Sequence, residues 1–497
     1  MDVTVSILPY LFVLPPLIAA ILIMITGNRN PDVREFWTIL AGIINFGLVF
    51  YVYRRILDGQ ILESVHFTIV PNVSFFLKID TTGMIFAGVA SLLWIVTSFY
   101  SIGYMRAANK INQTGYFASF AMCIFAALGI SFAGNLFTLF IFYEVLTIAT
   151  YPLVIHNREQ EHIEAGRKYL AYTLITGQIF LVGIIWLYHL TGTTDFVAGG
   201  FIQNVDNPTP FIMIFLLMVI GASAKAGLIP LHGWLPAAMV APTPVSALLH
   251  AVAVVKAGAF VLVRIIGYVF GFDLLASLGV IDYLAWAAAF TIIIASVIAM
   301  RQDNLKRRLA FSTIGQLSYI ILGLALINEQ AFMGALFHIV AHAFMKITLF
   351  FCAGAIFINT GYKYISQIHG IGKQMPITMA MFGIASLGIS GMPFTVGFIS
   401  KWNLALGAIA GGNYLYIFVL IASAMLSASY LVTVFVLAFY NKNEEFTEFR
   451  EVRKDILIPI LITGAMSIIL GIFPDAGPHF YELAIRSAEI VANGTGG

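Results

Sequence analysis

The chain has 497 residues, 60% of them hydrophobic and only 10% charged, with a mean hydropathy of +0.93. Soluble globular chains carry about 25% charged residues, which excludes a set of water-soluble domains. The net charge of +2 argues nothing for a nucleic-acid partner, because the basic residues are scattered, and none is expected.

The first apolar run, Val5 to Thr26, lacks a basic leader and is too long for a signal core, so it predicts a retained span. A window of about 19 residues then yields roughly fourteen apolar segments. They lie near 5–26, 36–53, 82–104, 115–132, 134–156, 166–191, 209–228, 243–270, 276–300, 308–327, 330–357, 375–408, 413–440 and 456–473. Stretches near 209–240, 243–270 and 375–408 carry internal Gly and Pro or run long, and predict broken helices. Between the second and third segments, Ser64 to Leu77 alternates and predicts a short hairpin on the outer side. Pro474 to Asn493 predicts an amphipathic tail along the interface.

Basic residues sort these segments by side. Seventeen Lys and Arg, including Lys110 and Lys442, fall in alternate loops between Arg29 and Lys454. The opposite loops hold only Arg54, Arg55, Lys78 and Arg486. The asymmetry predicts a multi-pass protein of the cell membrane with both termini outside.

Five basic residues remain inside spans: Lys225, Lys256, Arg264, Lys346 and Lys401. Arg264 lies near a span end, where it is expected to snorkel. Among the acidic residues only Glu144, in FIFYEVLTIATYPLV, is clearly mid-span. A central charge costs about 2.5–3.5 kcal/mol, so four lysines and one glutamate oppose insertion by roughly 12 kcal/mol. One Glu–Lys pair could simply join two helices, but four lysines to one glutamate leave unpaired positive charge. Desolvation and mutual repulsion disfavour the ammonium form, so such a lysine can release and regain a proton. Glu144 would hold the proton on one lysine and let it go when the two separate. Such a relay needs no metal or organic cofactor. Cys123 and Cys352 lie in apolar runs and read as inert core residues.

In ALFHIVAHAFMKITLFF, His338, His342 and Lys346 fall four residues apart, forming a stripe about 12 Å long on one helix face. In SALLHAVAVVKAG, His250 and Lys256 lie six residues apart, about 9 Å along the axis, on divergent faces. A metal or haem site at His338 and His342 is disfavoured, because no carboxylate is near in sequence and Lys346 would repel a cation. Both expected breaks carry a lysine: Lys225 precedes AGLIPLHGWLPAAMVAPTP, and Lys401 follows GISGMPFTVGFIS. Freed backbone at such breaks lines ion sites in transporters.

At this point FYEVLTIATYPLV, SAKAGLIPLHGWLPAAMVAPTPVSALLHAVAVVKAG and GMPFTVGFISKW resemble a family. It comprises the antiporter-like subunits shared by Mrp-type multisubunit cation/proton antiporters, respiratory complex I and membrane-bound hydrogenases. The resemblance covers roughly residues 80 to 440. It implies an all-α protein with fourteen spans and two inverted five-helix repeats, the fourth to eighth and ninth to thirteenth spans, with broken seventh and twelfth helices. The implied divisions are 1–110, 111–272 and 273–441 for the N-terminal spans and the two repeats, then 442–497 for the last span and tail. By motif, Glu144 and Lys225 match the family's ion pair, and His250 and Lys256 its connecting residues. His338, His342 and Lys346 match its central polar axis, and Lys401 its second-channel lysine.

The middle subunit of complex I typically has Glu where Lys401 stands, and the largest subunits carry a long C-terminal extension. Within the family the resemblance is therefore nearest to the MrpD type of antiporter component. Phe394 departs from the commoner Pro-Pro pattern and is expected to change little. The implied function is proton translocation within a cation (Na+)/proton antiporter, alongside other membrane subunits in the lipid bilayer. The alternative is a proton-pumping subunit, without a redox centre of its own, of complex I or a membrane-bound hydrogenase.

Overall fold

The computed structural model describes residues 3–27, 29–70, 73–108, 112–202, 205–441 and 443–494. Lys110 and Lys442, used above to assign sides, lie outside the described residues, as do Pro71 and Asn72 of the expected hairpin. Among the described residues thirteen helices are long and apolar enough to cross a bilayer. In chain order these are α1 (Leu8–Thr26), α2 (Pro31–Leu57), α3 (Thr81–Ala107), α4 (Gln113–Phe132), α5 (Leu136–Val154), α6 (Gln160–Thr191), α7 (Pro208–Ala226), α8 (Thr243–Phe270), α9 (Ile281–Met300), α10 (Leu305–Ala325) and α11 (Glu329–Thr360). Two shorter apolar helices follow, α12 (Pro376–Ser390) and α13 (Val396–Ala410), before the long α14 (Tyr414–Tyr440) and α15 (Lys454–Ile472). A C-terminal helix, α16 (Phe480–Asn493), completes the chain's regular structure. The chain is an all-α polytopic membrane protein, and the single apolar segment expected near 375–408 is the split pair α12 and α13.

Helix starts are set by short polar side chains. Asp80 accepts from Gly83 N, Asn135 from Thr138 N, Asn304 from Arg307 N and Asn328 from Ala331 N, each satisfying an amide the helix leaves open. Outside the helices, β1 (Val3–Val5), β2 (Ile61–Glu63) and β5 (Lys78–Ile79) form a small sheet in the order β1-β2-β5. The strands β3 (Phe67–Val70) and β4 (Val73–Phe75) pair antiparallel within the stretch whose alternation predicts a hairpin. The tail helix α16 is amphipathic, and its apolar stripe of Phe480, Leu483, Ala484, Ala488 and Val491 packs on α3 and α11.

Burial divides the spans into two rings. The most apolar windows of α8 and α11 are 100% buried, whereas those of α2 and α14 are 33% buried. Side chains such as Ile148, Ile185, Phe290, Phe418 and Met425 point outward from the outer helices, as a lipid-facing surface requires. The two sheathed helices are those that carry His250, Lys256, His338, His342 and Lys346.

The breaks have identifiable causes. Gly227 after α7 and Gly391 after α12 take φ of 74° and 85°, the left-handed geometry in which glycine alone is unstrained. Trp234 Nε1 donates to Ala224 O at 2.7 Å, occupying a carbonyl that the end of α7 exposes. In α8, Leu248–Val252 and Ile265–Phe270 are wound as π-helix.

Candidate ion pathway

Lys225 ends α7 and is fully buried. Its Nζ donates to Tyr143 O at 2.5 Å and lies 3.1 Å from the Tyr143 ring centroid. Glu144, the next residue along α5, is partly buried and faces α6 at Gly177, where a Cβ would lie 2.3 Å from its Oε1. The absent side chain at 177 is therefore what gives the carboxylate room. Glu144 and Lys225 are within electrostatic reach of one another. They form no ion pair among the described residues, and Glu144 Oε1 has no hydrogen-bond partner there. The lysine is held by backbone and ring, leaving the carboxylate's pull on it purely through space.

Lys256 Nζ lies 2.7 Å from His342 Nδ1, joining α8 to α11. An ammonium only donates, and a neutral amine or imidazole nitrogen can accept, so the geometry allows a proton to pass between the two nitrogens. His250 packs on Phe350 of α11 with ring centroids 4.9 Å apart. Its cationic neighbours are Lys346 and Lys306. His250 and Lys256 thus both meet α11, although a regular helix would turn them to divergent faces. The π-wound turn at Leu248–Val252 and the irregular Ala253 (φ −109°, ψ −78°) reset the winding between them.

The stripe on α11 continues the row. Lys346 Nζ donates to Leu309 O at 3.3 Å. The rings of His338 and His342 are 6.2 Å apart. His338 Nδ1 is 2.8 Å from Ser400 Oγ on α13, and its ring stacks on Tyr319 of α10 with centroids 5.6 Å apart. Lys401 Nζ, next to Ser400 in sequence, sits 4.7 Å from the same Tyr319 ring and donates to Ile389 O. Ile389 is in the last turn of α12, so the ammonium of Lys401 meets the C-terminal end of a half-helix, whereas that of Lys225 meets a carbonyl in the middle of α5. Exposed carbonyls at a helix end favour positive charge.

His250, His338 and His342 are buried, yet both ring nitrogens of His250 and the Nε2 atoms of the other two have no partner among the described residues. A buried polar group left so costs about 1–3 kcal/mol, which bridging water recovers where the site is polar. The arrangement is thus a row of titratable side chains whose ring nitrogens are open to further donors and acceptors.

Three features depart from the sequence reading. Arg264 does not snorkel. It is 1% exposed, and its Nη1 and Nη2 contact Asp80 Oδ2 and Oδ1 at 2.6 and 2.9 Å. Asp80 carries no signal of this in the sequence, because it sits just before α3 in a loop-like context. Ser400 and Tyr319 are likewise unmarked by any motif, and Ser400's adjacency to Lys401 is the one available signal. Phe394 has φ of 66° and is 74% exposed. A proline ring holds φ near −65°, so the backbone of this break cannot be that of a Pro-Pro sequence.

The helices, the sheathed row of lysines and histidines, and the paired breaks define a membrane ion- and proton-transport subunit. Residues 133–427 match the family described as NADH:quinone oxidoreductase/Mrp antiporter, TM, more than half of the chain. Subunit N of the NADH-quinone oxidoreductase of Desulforudis audaxviator (strain MP104C) is 33% identical over 403 residues, spanning 78% of this chain and 79% of that one. A chain of the membrane-bound sulfane sulfur reductase, an archaeal respiratory membrane complex, superposes with a TM-score of 0.86 at 25% identity, covering 98% of both chains. A chain of the Mrp complex from Dietzia sp. DQ12-45-1b shares the fold, with a TM-score of 0.86 at 20% identity and 98% of both chains covered. The protein belongs to the NADH:quinone oxidoreductase/Mrp antiporter transmembrane family, as one of its antiporter-like membrane subunits.

Proposed function

We propose that this chain carries protons along the row Glu144, Lys225, Lys256 with His250, the His338–His342–Lys346 stripe, and Lys401, within an Mrp-type cation/proton antiporter. The single observation that carries the reading is the Lys256–His342 contact, a 2.7 Å nitrogen-to-nitrogen hydrogen bond at the join of the two sheathed helices. Protonating Lys225 draws it toward the Glu144 charge. Withdrawal of that pull sends the proton toward Lys256, and each neutral amine or imidazole accepts from its neighbour in turn. Lys401 hands the proton to water at the second break. In this reading the chain is MrpD-like, residues 111–272 and 273–441 are the two repeats that hold the two halves of the row, and both termini face outward.

The test is proton flux in membrane vesicles that contain the assembled complex, read with a pH-sensitive dye. Glu144→Ala should abolish flux while the complex still assembles, and full activity in that variant would rule the relay out. Collapse of an imposed proton gradient on adding Na+ is the expected signature of the antiporter.

A second reading has its own support in the 33% identity to a subunit of an NADH-quinone oxidoreductase. There the same row would be driven by a redox reaction in other subunits. Acidification that follows an electron donor and ignores Na+ would select it.

A further inference from the structure

We infer that the C-terminal end of α2 is a binding site for an anionic phospholipid, with its phosphate on Arg54 and Arg55 and an acyl chain in a notch at Gly47. The site lies apart from the row of lysines and histidines and does not depend on the proton-carrier reading.

Arg54 and Arg55 stand in the last turn of α2, and both are exposed. Arg54 Nε donates to Tyr53 Oη at 3.1 Å, and Arg55 Nη2 donates to Tyr51 Oη at 3.3 Å. A guanidinium has five N–H donors, so these tyrosine contacts hold the two groups in place and use little of their capacity. Neither arginine forms an ion pair among the described residues, and Asp58 acts on Arg54 only through space. The other end of α2 shows the contrast. There Arg34 contacts Glu35 at 3.2 Å, and Arg106 contacts Glu35 and Asp32 at 2.5 Å each. Those cations are matched within the chain. At Arg54 and Arg55 the matching anion has to come from outside, and a phosphate takes the planar guanidinium fork in two parallel hydrogen bonds.

The depth is that of lipid headgroups. Tyr53 stacks on His479, the residue before the amphipathic helix α16, with ring centroids 5.4 Å and planes 12° apart. Tyrosines and amphipathic helices both favour the boundary between hydrocarbon and water. His479 Nδ1 is itself 3.3 Å from Glu482 Oε2, so the unmatched charge here belongs to the two arginines.

Below the arginines the same helix face is apolar. Ile43, Gly47, Phe50 and Arg54 follow one another at steps of four, three and four residues, which places them on one stripe, and all four are exposed. A Cβ at Gly47 would meet nothing within 4 Å. The glycine therefore serves no close helix contact and leaves a notch between Ile43 and Phe50. It lies seven residues from Arg54, about 10 Å along the axis, which spans a headgroup layer about 5–7 Å deep and reaches hydrocarbon. An acidic protein segment would use the charges and leave the notch empty. A phospholipid with a net negative headgroup uses both.

The test is native mass spectrometry of the assembled complex in detergent, titrated with phosphatidylglycerol. The double change Arg54→Gln with Arg55→Gln should cost one bound phosphatidylglycerol per copy of this chain, its affinity falling about tenfold, with phosphatidylcholine binding unchanged. Gly47→Phe keeps both charges and fills the notch, and should weaken the same site about threefold. Unchanged phosphatidylglycerol binding in either variant overturns the site, so one variant decides if the other fails to assemble. A matched loss of phosphatidylcholine would mark ordinary lipid contact and overturn it too. Displacement of the lipid by an equal concentration of inorganic phosphate rules out the lipid as occupant. Loss of a neighbouring subunit from the double variant, with the lipid count unchanged, gives the patch to a protein contact instead.

Discussion

Lys256 Nζ of α8 and His342 Nδ1 of α11 are joined by a 2.7 Å hydrogen bond between two buried nitrogens. Two protonated groups at that separation would repel, so in the proton-carrier reading a second proton arriving at the pair is passed on. His342→Ala leaves the lysine without its acceptor in a fully buried site. Proton flux should fall at least tenfold at matched protein levels, and His342→Gln, which restores an acceptor but cannot be protonated at a ring nitrogen, should not recover it. Recovery by Gln would make the contact structural.

Lys346 tests whether a charge or a transferable proton is needed. Arginine keeps the charge and gives up its proton at no accessible pH. Flux in Lys346→Arg should therefore be as low as in Lys346→Ala, measured by dye in reconstituted vesicles. Wild-type rates with Arg would show that positive charge suffices.

At the second break, Lys401 is bound to the end of α12 and to the Tyr319 ring. A carboxylate can also carry a proton, so Lys401→Glu should keep partial flux, while Lys401→Leu should block it. Equal loss in both variants would assign the lysine to holding the break together. Unchanged flux in the Leu variant would take it off the path.

The Asp80–Arg264 pair makes a prediction about stability. Removing one partner of a buried ion pair costs about 3–5 kcal/mol, because the other charge is left uncompensated. Asp80→Asn should lower the thermal midpoint of the detergent-solubilised protein far more than the double change Asp80→Leu with Arg264→Met. If the double variant is as unstable as the single, the pair contributes more than mutual neutralisation.

The spans are readable because the bilayer acts as a solvent with one demand, and every lipid-crossing segment answers it with apolar side chains. The buried lysines stand out for the same reason, since each violates that demand at a known cost. What the linear pattern cannot carry is contact across the fold. Asp80 and Arg264 are 184 residues apart, and neither flank signals the other. His250 and Lys256 fall on different faces at regular pitch, and only the π-wound turn brings both to α11. The expected closeness of Glu144 and Lys225 exists as a field acting through space, with the Lys225 ammonium turned to the Tyr143 carbonyl and ring. The part that each matched residue plays in transport is a matter for the flux assays above.

The two-ring burial of the spans has a mechanical consequence. Bilayers differ in thickness, and helices that touch lipid answer by tilting or bending. Here that strain falls on outer helices such as α2 and α14, whose windows are only 33% buried. The Lys256–His342 distance is set by α8 and α11, which are wrapped in protein on every side. Their jacket acts as a suspension, letting the outer helices follow the membrane while the two nitrogens keep their spacing.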